Sequence, residues 1–563
     1  MLAASSDLRL DANFVDYSLI AIYFAFVLGV GILARRSVSS SIDFFLSGRS
    51  LPAWVTGLAF ISANLGAVEI IGMSANGANF GVPTVHYFWI GAVPAMLFLG
   101  LVMMPFYYGS KVRSVPEYMN RRFGKPAHLF NAISFGVAQL LIAGINLFLL
   151  ASIVKVLLGW PLWVSLLIAA AIVLTYTALG GLSAAIYNEV LQFFVIVAAL
   201  LPLTLVGLTK VGGYSGLKEK LTAAGGADQL SSWPGTSLAA IDNPVLSVIG
   251  IVFGLGFVLS FGYWTTNFVE VQRAMASSSI SAAQRAPIIG AFPKMFIPFI
   301  VIVPGMIAAV LVNEIAQPKA SGGEPDYNNA LLYLMRDLLP NGMLGVAIAG
   351  LLASFMAGMA ANISAFNTVF SYDLWQTYVV KDRPDGYYTT VGRLATVAAT
   401  LVAIGTASFA ASYSNIMNYL QTLFGFFNAP LFATFILGMF WKRMSPTAGW
   451  VGLVSGTAAA VGVAVLSKDT LGALSLGVWG LSGQGASFAA AGAAFAVDLV
   501  VSVVVSLMTR PKAESELRGL VYSLTPKADF RDEHAGQLAW FQQPTKLAGV
   551  GLVAVVVLNI LFW

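Results

Sequence analysis

Four ionisable side chains, Glu69, Lys155, Glu189 and Lys294, stand inside long apolar stretches of this sequence. At the centre of a bilayer such a group costs at least about 2.5–3.5 kcal/mol, so each is a candidate for chemistry. Glu69 closes the stretch Ser62-Ala-Asn64-Leu-Gly66-Ala-Val-Glu69, among small and polar residues. A carboxylate there can touch a polar solute or carry a cation or a proton; its structural alternative is an acid held in one fixed hydrogen bond. Lys294 stands nine residues into its stretch, where a snorkelling stem competes with solute contact. Glu189 follows Gly180-Gly181 near the start of its stretch; a hydrated gate and an acid favoured by the first helical turn fit it equally. Lys155, near the end of its stretch, reads as a snorkelling side chain.

The residues of hydrolytic and metal chemistry do not assemble. His86, His128 and His534 are far apart and cysteine is absent, so no clustered metal site can be built from them. Catalytic triads, phosphate-binding glycine loops and the zinc-protease helix motif are missing as well. The sequence points away from an enzyme and from a resident cofactor.

The elements that position the buried charges are membrane helices. Hydrophobic residues make up 58% of the 563 positions and charged residues 10%, more apolar surface than a soluble core could hide. Fourteen stretches approach the roughly 20 residues a helix needs to cross a bilayer. They span about 14–34, 53–77, 84–107, 128–157, 162–180, 185–209, 245–269, 286–313, 342–378, 389–410, 414–440, 447–466, 487–508 and 546–562. Stretches such as 186–208 are continuously apolar, unlike the alternating strands of about ten residues in a β-barrel.

The formal charge of +5 does not indicate nucleic acid, because alternate loops hold 21 of the 30 basic residues. The positive-inside rule makes those loops cytoplasmic and both termini extracytoplasmic. The polar first thirteen residues do not read as a signal peptide. The loops 210–244, 314–341 and 509–545 are too short for a soluble domain, and no obligate protein partner is evident. The whole chain, 1–563, therefore reads as one membrane domain.

Two spans are interrupted by polar and glycine residues. The second carries the Ser62–Glu69 stretch followed by Gly72-Met-Ser74-Ala-Asn76-Gly77, and the seventh carries Gly254, Gly256 and then Ser260 to Asn267. They are five spans apart, the spacing of an inverted repeat in which each half opens on a broken helix beside a solute site. Close helix packing through small residues is the structural alternative.

These residues resemble the sodium:solute symporter family, in particular the sodium/sugar cotransporter branch. The likeness runs over nearly the whole chain and is carried by Asp43-Phe-Phe-Leu-Ser-Gly48-Arg49-Ser50-Leu-Pro52, Ile61-Ser-Ala-Asn64, Ile71-Gly72-Met73-Ser74, Ser114-Val-Pro116-Glu117-Tyr118, Arg121-Arg122-Phe123, Tyr176 to Ala184, Gln272-Arg273 and Gly438-Met-Phe-Trp441-Lys442-Arg443. It implies an all-α polytopic membrane protein of LeuT-type fold, with about fourteen helices and a 5+5 inverted repeat. The transport core is 53–440, preceded by an extra helix at 14–34. The 447–563 region holds peripheral helices and a cytoplasmic linker at 509–545.

The resemblance also implies roles. Tyr263, beside Trp264, matches a tyrosine closing the inner side of the sugar pocket; Lys294 and Gln421 match polar positions of that pocket. Glu69 stands where the sugar branch has glutamine, Ser260 replaces an asparagine, and Asn146 is the nearest counterpart of a fourth-span asparagine. Phe88 and Gly91 replace a glutamate and a serine. The sodium-site positions are Ser62, Leu65, Ser354, Ala357 and Gly358, the last two without the family's hydroxyls, and Glu189 stands for an aspartate on the ion path. The implied function is uptake of a sugar, polyol or small zwitterion driven by inward sodium, with a proton on Glu69 or Glu189 as the alternative carrier. A channel or a solute sensor without coupled transport are the rivals from other classes.

Overall fold

The computed structural model describes residues 8, 10–34, 40–233, 248–320, 325, 327–410, 416–468, 475–526, 532 and 538–563. Arg35, Arg36, His534 and parts of the 210–244 and 509–545 loops lie outside them. Among the described residues the regular structure is helical, with only two isolated bridge pairs. Twelve helices among the described residues are long and apolar enough to span a membrane; a bent pair and one shorter apolar helix join them.

In chain order these are α1 (Phe14–Ala34), the bent pair α2 (Ala53–Asn64) and α3 (Val68–Phe80), α4 (Val82–Gly109), α5 (Lys125–Leu158), the shorter α6 (Leu162–Thr175), α7 (Gly181–Val211) and α8 (Ile249–Thr266). The short α9 (Phe268–Met275) follows. Then come α10 (Ile280–Leu311), α11 (Met343–Val379), α12 (Asp385–Ala410), α13 (Ile416–Phe440), α14 (Pro446–Leu466), α15 (Gly483–Met508) and α16 (Pro544–Leu561).

The polarity of the molecule is that of a protein dissolved in lipid. Leu394 and Leu401 on α12, and Val553 and Ile560 on α16, are nearly two-thirds exposed, whereas Glu189 and Arg273 are fully buried. Apolar chains can turn outward at no cost only where the solvent is hydrocarbon. At the centre, α11 packs between α5 and α7, and α10 lies along both halves of the bent pair. The second contact needs bare backbone: a Cβ at Gly305 would run into the Ser74 carbonyl, and one at Gly77 into Ile302. The Ser74 hydroxyl donates to the Val301 carbonyl at 2.6 Å and fixes the register.

Both interruptions are narrower than the sequence suggests. The chain leaves α2 at Leu65 (φ −71°, ψ 45°) and re-enters α3 bent by 59°; Asn76 and Gly77 are helical. In the seventh span the helix holds through Thr266 and breaks at Asn267 (ψ 114°), whose side-chain oxygen accepts from the Val269 N–H and caps α9. Residues 260–266 are thus a correction to the expected break. Gly254 and Gly256 sit against Phe488 and Ile90, so those glycines act in packing, and the chain there stays helical in the wider π form over Ile249–Ser260.

Candidate functional site

The two breaks come together around one narrow cavity of about 90 Å³, below the roughly 300–1,000 Å³ of sites that hold a small molecule. Asn64, Glu69, Asn146, Ser260, Tyr263, Lys294 and Gln421, the seven residues nominated for solute contact, all line it. Asn64 ends α2, where the broken backbone turns its side chain toward the phenol of Tyr263, and Nδ2 donates to that oxygen at 3.1 Å.

Lys294 reaches in from α10. Its ammonium donates to Glu69 at 2.6 Å and to the Asn64 side-chain oxygen, and lies 4.8 Å above the Phe88 ring and 5.2 Å above Trp264. With a side chain only 2% exposed, Lys294 does not snorkel. A buried cation is tolerable when paired and hydrogen-bonded, and aromatic faces add attraction. Phe88, which the sequence registers only as a lost polar group, gives the ammonium one of its two rings. Tyr263 packs against Phe424 at 4.5 Å and edge-on to Trp264 at 5.3 Å. Gln421 donates to the Met417 sulfur, while its carbonyl oxygen is buried with no partner.

Beside the cavity lie the positions that the resemblance assigns to a cation. The Ser354 hydroxyl donates to the Leu65 carbonyl at 2.5 Å, and the Asn362 amide donates to the Gly358 carbonyl at 2.6 Å. Asn146 Oδ1 accepts from the Ala67 N–H at 3.1 Å and sits against the bare Gly66 and Gly358. Ser62 is buried with its hydroxyl unpartnered. Gly358 lines the cavity; Ala357 is buried within α11.

A Cβ at Gly358 would lie 2.7 Å from Asn146 Oδ1 and 3.0 Å from the Gly66 Cα. Gly358→Ala should therefore destabilise the protein by about 1–3 kcal/mol, the usual cost of overpacking. In thermal unfolding of the detergent-solubilised chain, Gly358→Ala with Asn146→Ala should lose less than the two single changes added together. Additive losses would show that the amide does not crowd Gly358.

Glu189 is no helix-terminal acid at the surface. On α7 it meets the guanidinium of Arg273 in α9 through two bonds, Nη2 to Oε1 at 2.6 Å and Nε to Oε2 at 3.3 Å. The sequence placed Arg273 in a loop, and it overlooked Glu270 altogether. Every residue of α9 is buried, because the break at Asn267 turns the chain within the protein instead of releasing it to water. Glu270 accepts the Tyr263 hydroxyl at 2.7 Å, and its other oxygen has no partner. The available signal was the asparagine-capped helix start so soon after the cavity aromatics.

A helix broken beside a buried polar cavity, in a chain made of apolar spans, defines a membrane transporter. The sodium:solute symporter family profile matches residues 44–456, and the chain belongs to that family. It is accordingly a multi-pass symporter of small solutes and not an enzyme, with no cofactor required beyond the coupling ion. It is 30% identical over 469 residues to the sodium/glucose cotransporter of Vibrio parahaemolyticus, covering 80% of this chain and 85% of the relative. Sodium/glucose cotransporter 1 of Ovis aries is 27% identical over 551 residues, with 91% and 81% covered. In three dimensions the chain matches a Na+-coupled sialic acid symporter in a substrate-bound outward-open state, with a TM-score of 0.72 at 19% identity over 89% of this chain and 99% of that one. The nucleobase-cation-symport-1 transporter Mhp1 gives 0.51 at 16% identity, with 84% and 97% covered. These two likenesses bear on the fold alone.

Proposed function

We propose that the protein takes up a sugar or a sugar-like polyol, coupled to an inward cation gradient, through the cavity between the two breaks. The observation that carries this is the pairing of polar groups with flat rings. Asn64, Glu69, Lys294, Ser260 and the free Gln421 carbonyl suit a ring of hydroxyls, and Tyr263 with Trp264 and Phe424 suits its apolar face. The names of the sodium/glucose relatives support the same class. Sodium is the coupling ion those relatives suggest, and Ser62, Leu65, Ser354, Ala357 and Gly358 are the positions it would use.

The breaks at 65 and 267 support a LeuT-type core of two five-helix repeats within fourteen spans, bounded at 53–440. The helix 14–34 and the helices of 447–563 are peripheral to that core. The excess of basic residues on alternate loops supports cytoplasmic placement of those loops, including the linker 509–545, with both termini outside. Rocking of one repeat against the other would open the cavity to each side in turn.

Proteoliposomes holding the purified chain are expected to accumulate D-glucose, D-galactose or myo-inositol under an inward sodium or proton gradient. Uptake of all three that ignores both gradients would remove the coupled reading. Single-channel current would instead favour a pore, and solute binding without flux a sensor.

A further inference from the structure

Five charged side chains lie in and below the cavity, Glu69, Lys294, Glu270, Arg273 and Glu189, all buried except Glu69 at 13% exposure. Three are acids and two are bases, so the fully ionised set carries one uncompensated negative charge. The ion pairs decide where it falls. Lys294 is held by Glu69 and Asn64. Arg273 spends its nitrogens on Glu189, the Val269 carbonyl and Gln272. Glu270, fully buried, is left with one neutral partner, the Tyr263 hydroxyl, and an orphan Oε2.

Arg273 and Lys294 attract Glu270 only from a distance, and the other elements packed on α9 give it no cation of its own. α2 carries no ionisable side chain, nor does α11 up to Thr368. From α4, Tyr107 and Tyr108 donate to the carbonyls of Thr265 and Ser277. Asp43 caps the helix Ser41–Leu46. α10 supplies Lys294 and α7 supplies Glu189, each already paired. Glu270 stands in the first turn of α9, where the helix dipole favours an anion by about 0.3–1 kcal/mol. An unpaired buried carboxylate costs several kcal/mol, so the dipole does not compensate.

We propose that Glu270 is a proton-binding site of the transport cycle, loaded while it is sealed beneath Tyr263 and emptied when that ring moves aside. The proton comes from hydronium in the cavity, which is left as water. The Tyr263 oxygen, which already accepts from Asn64 at the cavity wall, takes up a proton as its own passes to Glu270, leaving a neutral carboxylic acid and an unchanged phenol. Release is direct: once Tyr263 is displaced its bond to Glu270 is broken, and water reaches the acid and takes the proton. By linkage, whatever solute favours the sealed state favours protonation to the same degree. The acids named from the sequence as proton carriers, Glu69 and Glu189, each have a cation within salt-bridge distance and are less suited to the task.

The inference rests on the symport reading, and two measurements on the full chain keep the two separable. First, pH-dependent infrared difference spectra of the purified protein, which need no solute, should show a protonated-carboxyl C=O band titrating between about pH 5 and 9, the range of strongly perturbed acids. The band should vanish in Glu270→Gln and persist in Glu189→Gln. No titrating band in the wild type, or a band unchanged in Glu270→Gln, overturns the proposal even if other variants fail to fold. Second, an inward proton gradient should raise D-glucose uptake into sodium-free proteoliposomes several-fold in the wild type, and the ratio with and without the gradient should fall to about one in Glu270→Gln, in keeping with linkage. Uptake driven by sodium yet indifferent to the proton gradient would overturn the proposal while leaving symport intact. No D-glucose uptake under any gradient, with the infrared band present, would count against glucose as solute and leave Glu270 as the proton site.

Discussion

Lys294→Met is expected to abolish solute uptake and to lower unfolding stability by about 3–5 kcal/mol, the cost of stranding one member of a buried ion pair. The stranded group is Glu69, whose side chain is 13% exposed and which has Lys294 as its salt-bridge partner at 2.6 Å. Asn64 would also lose the donor to its side-chain oxygen, and the Phe88 and Trp264 rings would lose the cation they face. Pairing Lys294→Met with Glu69→Gln removes both charges and should return stability close to that of the parent, since apolar replacement of a whole buried pair is often neutral. Uptake should remain lost in the double variant, because the Lys294 ammonium that lines the cavity is gone. Recovery of stability without uptake separates binding from folding. If the single change leaves the unfolding midpoint where it was, the pair is not holding the broken helix to α10.

That pair was legible in the sequence, because a lysine and a glutamate inside apolar stretches have few reasons to be there. The all-helical membrane architecture was legible from the long apolar stretches. The meeting of Glu69 with Lys294 was not, since 225 residues separate them and only the packing of α10 on both halves of the bent pair brings them together. Phe88 shows how substitution by substitution reading misleads: a lost carboxylate looks like a weakened pocket until the ring is seen under the ammonium. Glu270 and Arg273 were missed for a different reason. A span boundary drawn at 269 assigns the next residues to water, yet the capped break at Asn267 keeps α9 buried. Hydrophobicity locates the ends of straight helices and says little about a chain that turns inside the protein. The engagement of the Leu65 carbonyl by Ser354 is likewise a tertiary fact, invisible in the missing hydroxyls at Ala357 and Gly358.

Arg273→Leu should produce a loss of similar size, about 3–5 kcal/mol, with a distinct second effect on access to the cavity. Arg273 and Glu189 are each about 1% exposed or less, and their two bonds tie α7 to α9 close to where Tyr263 rests on Glu270. Leucine leaves Glu189 charged without a cation, and the cheapest relief is for α9 to part from α7 and admit water. Because the chain contains no cysteine, Ser260→Cys gives a single thiol in the cavity wall without any prior engineering. Its labelling by a membrane-impermeant maleimide, applied from the side on which α9 opens, should rise in the Arg273→Leu background. Arg273→Lys keeps the charge but not the planar fork that meets both carboxylate oxygens, so it should fall between parent and leucine in both readouts. Adding Glu189→Leu to Arg273→Leu removes the stranded charge; stability should recover while labelling stays raised, because nothing then bolts the two helices together. If stability and labelling return together, the pair acts only as a packing element and the closure of the cavity lies elsewhere.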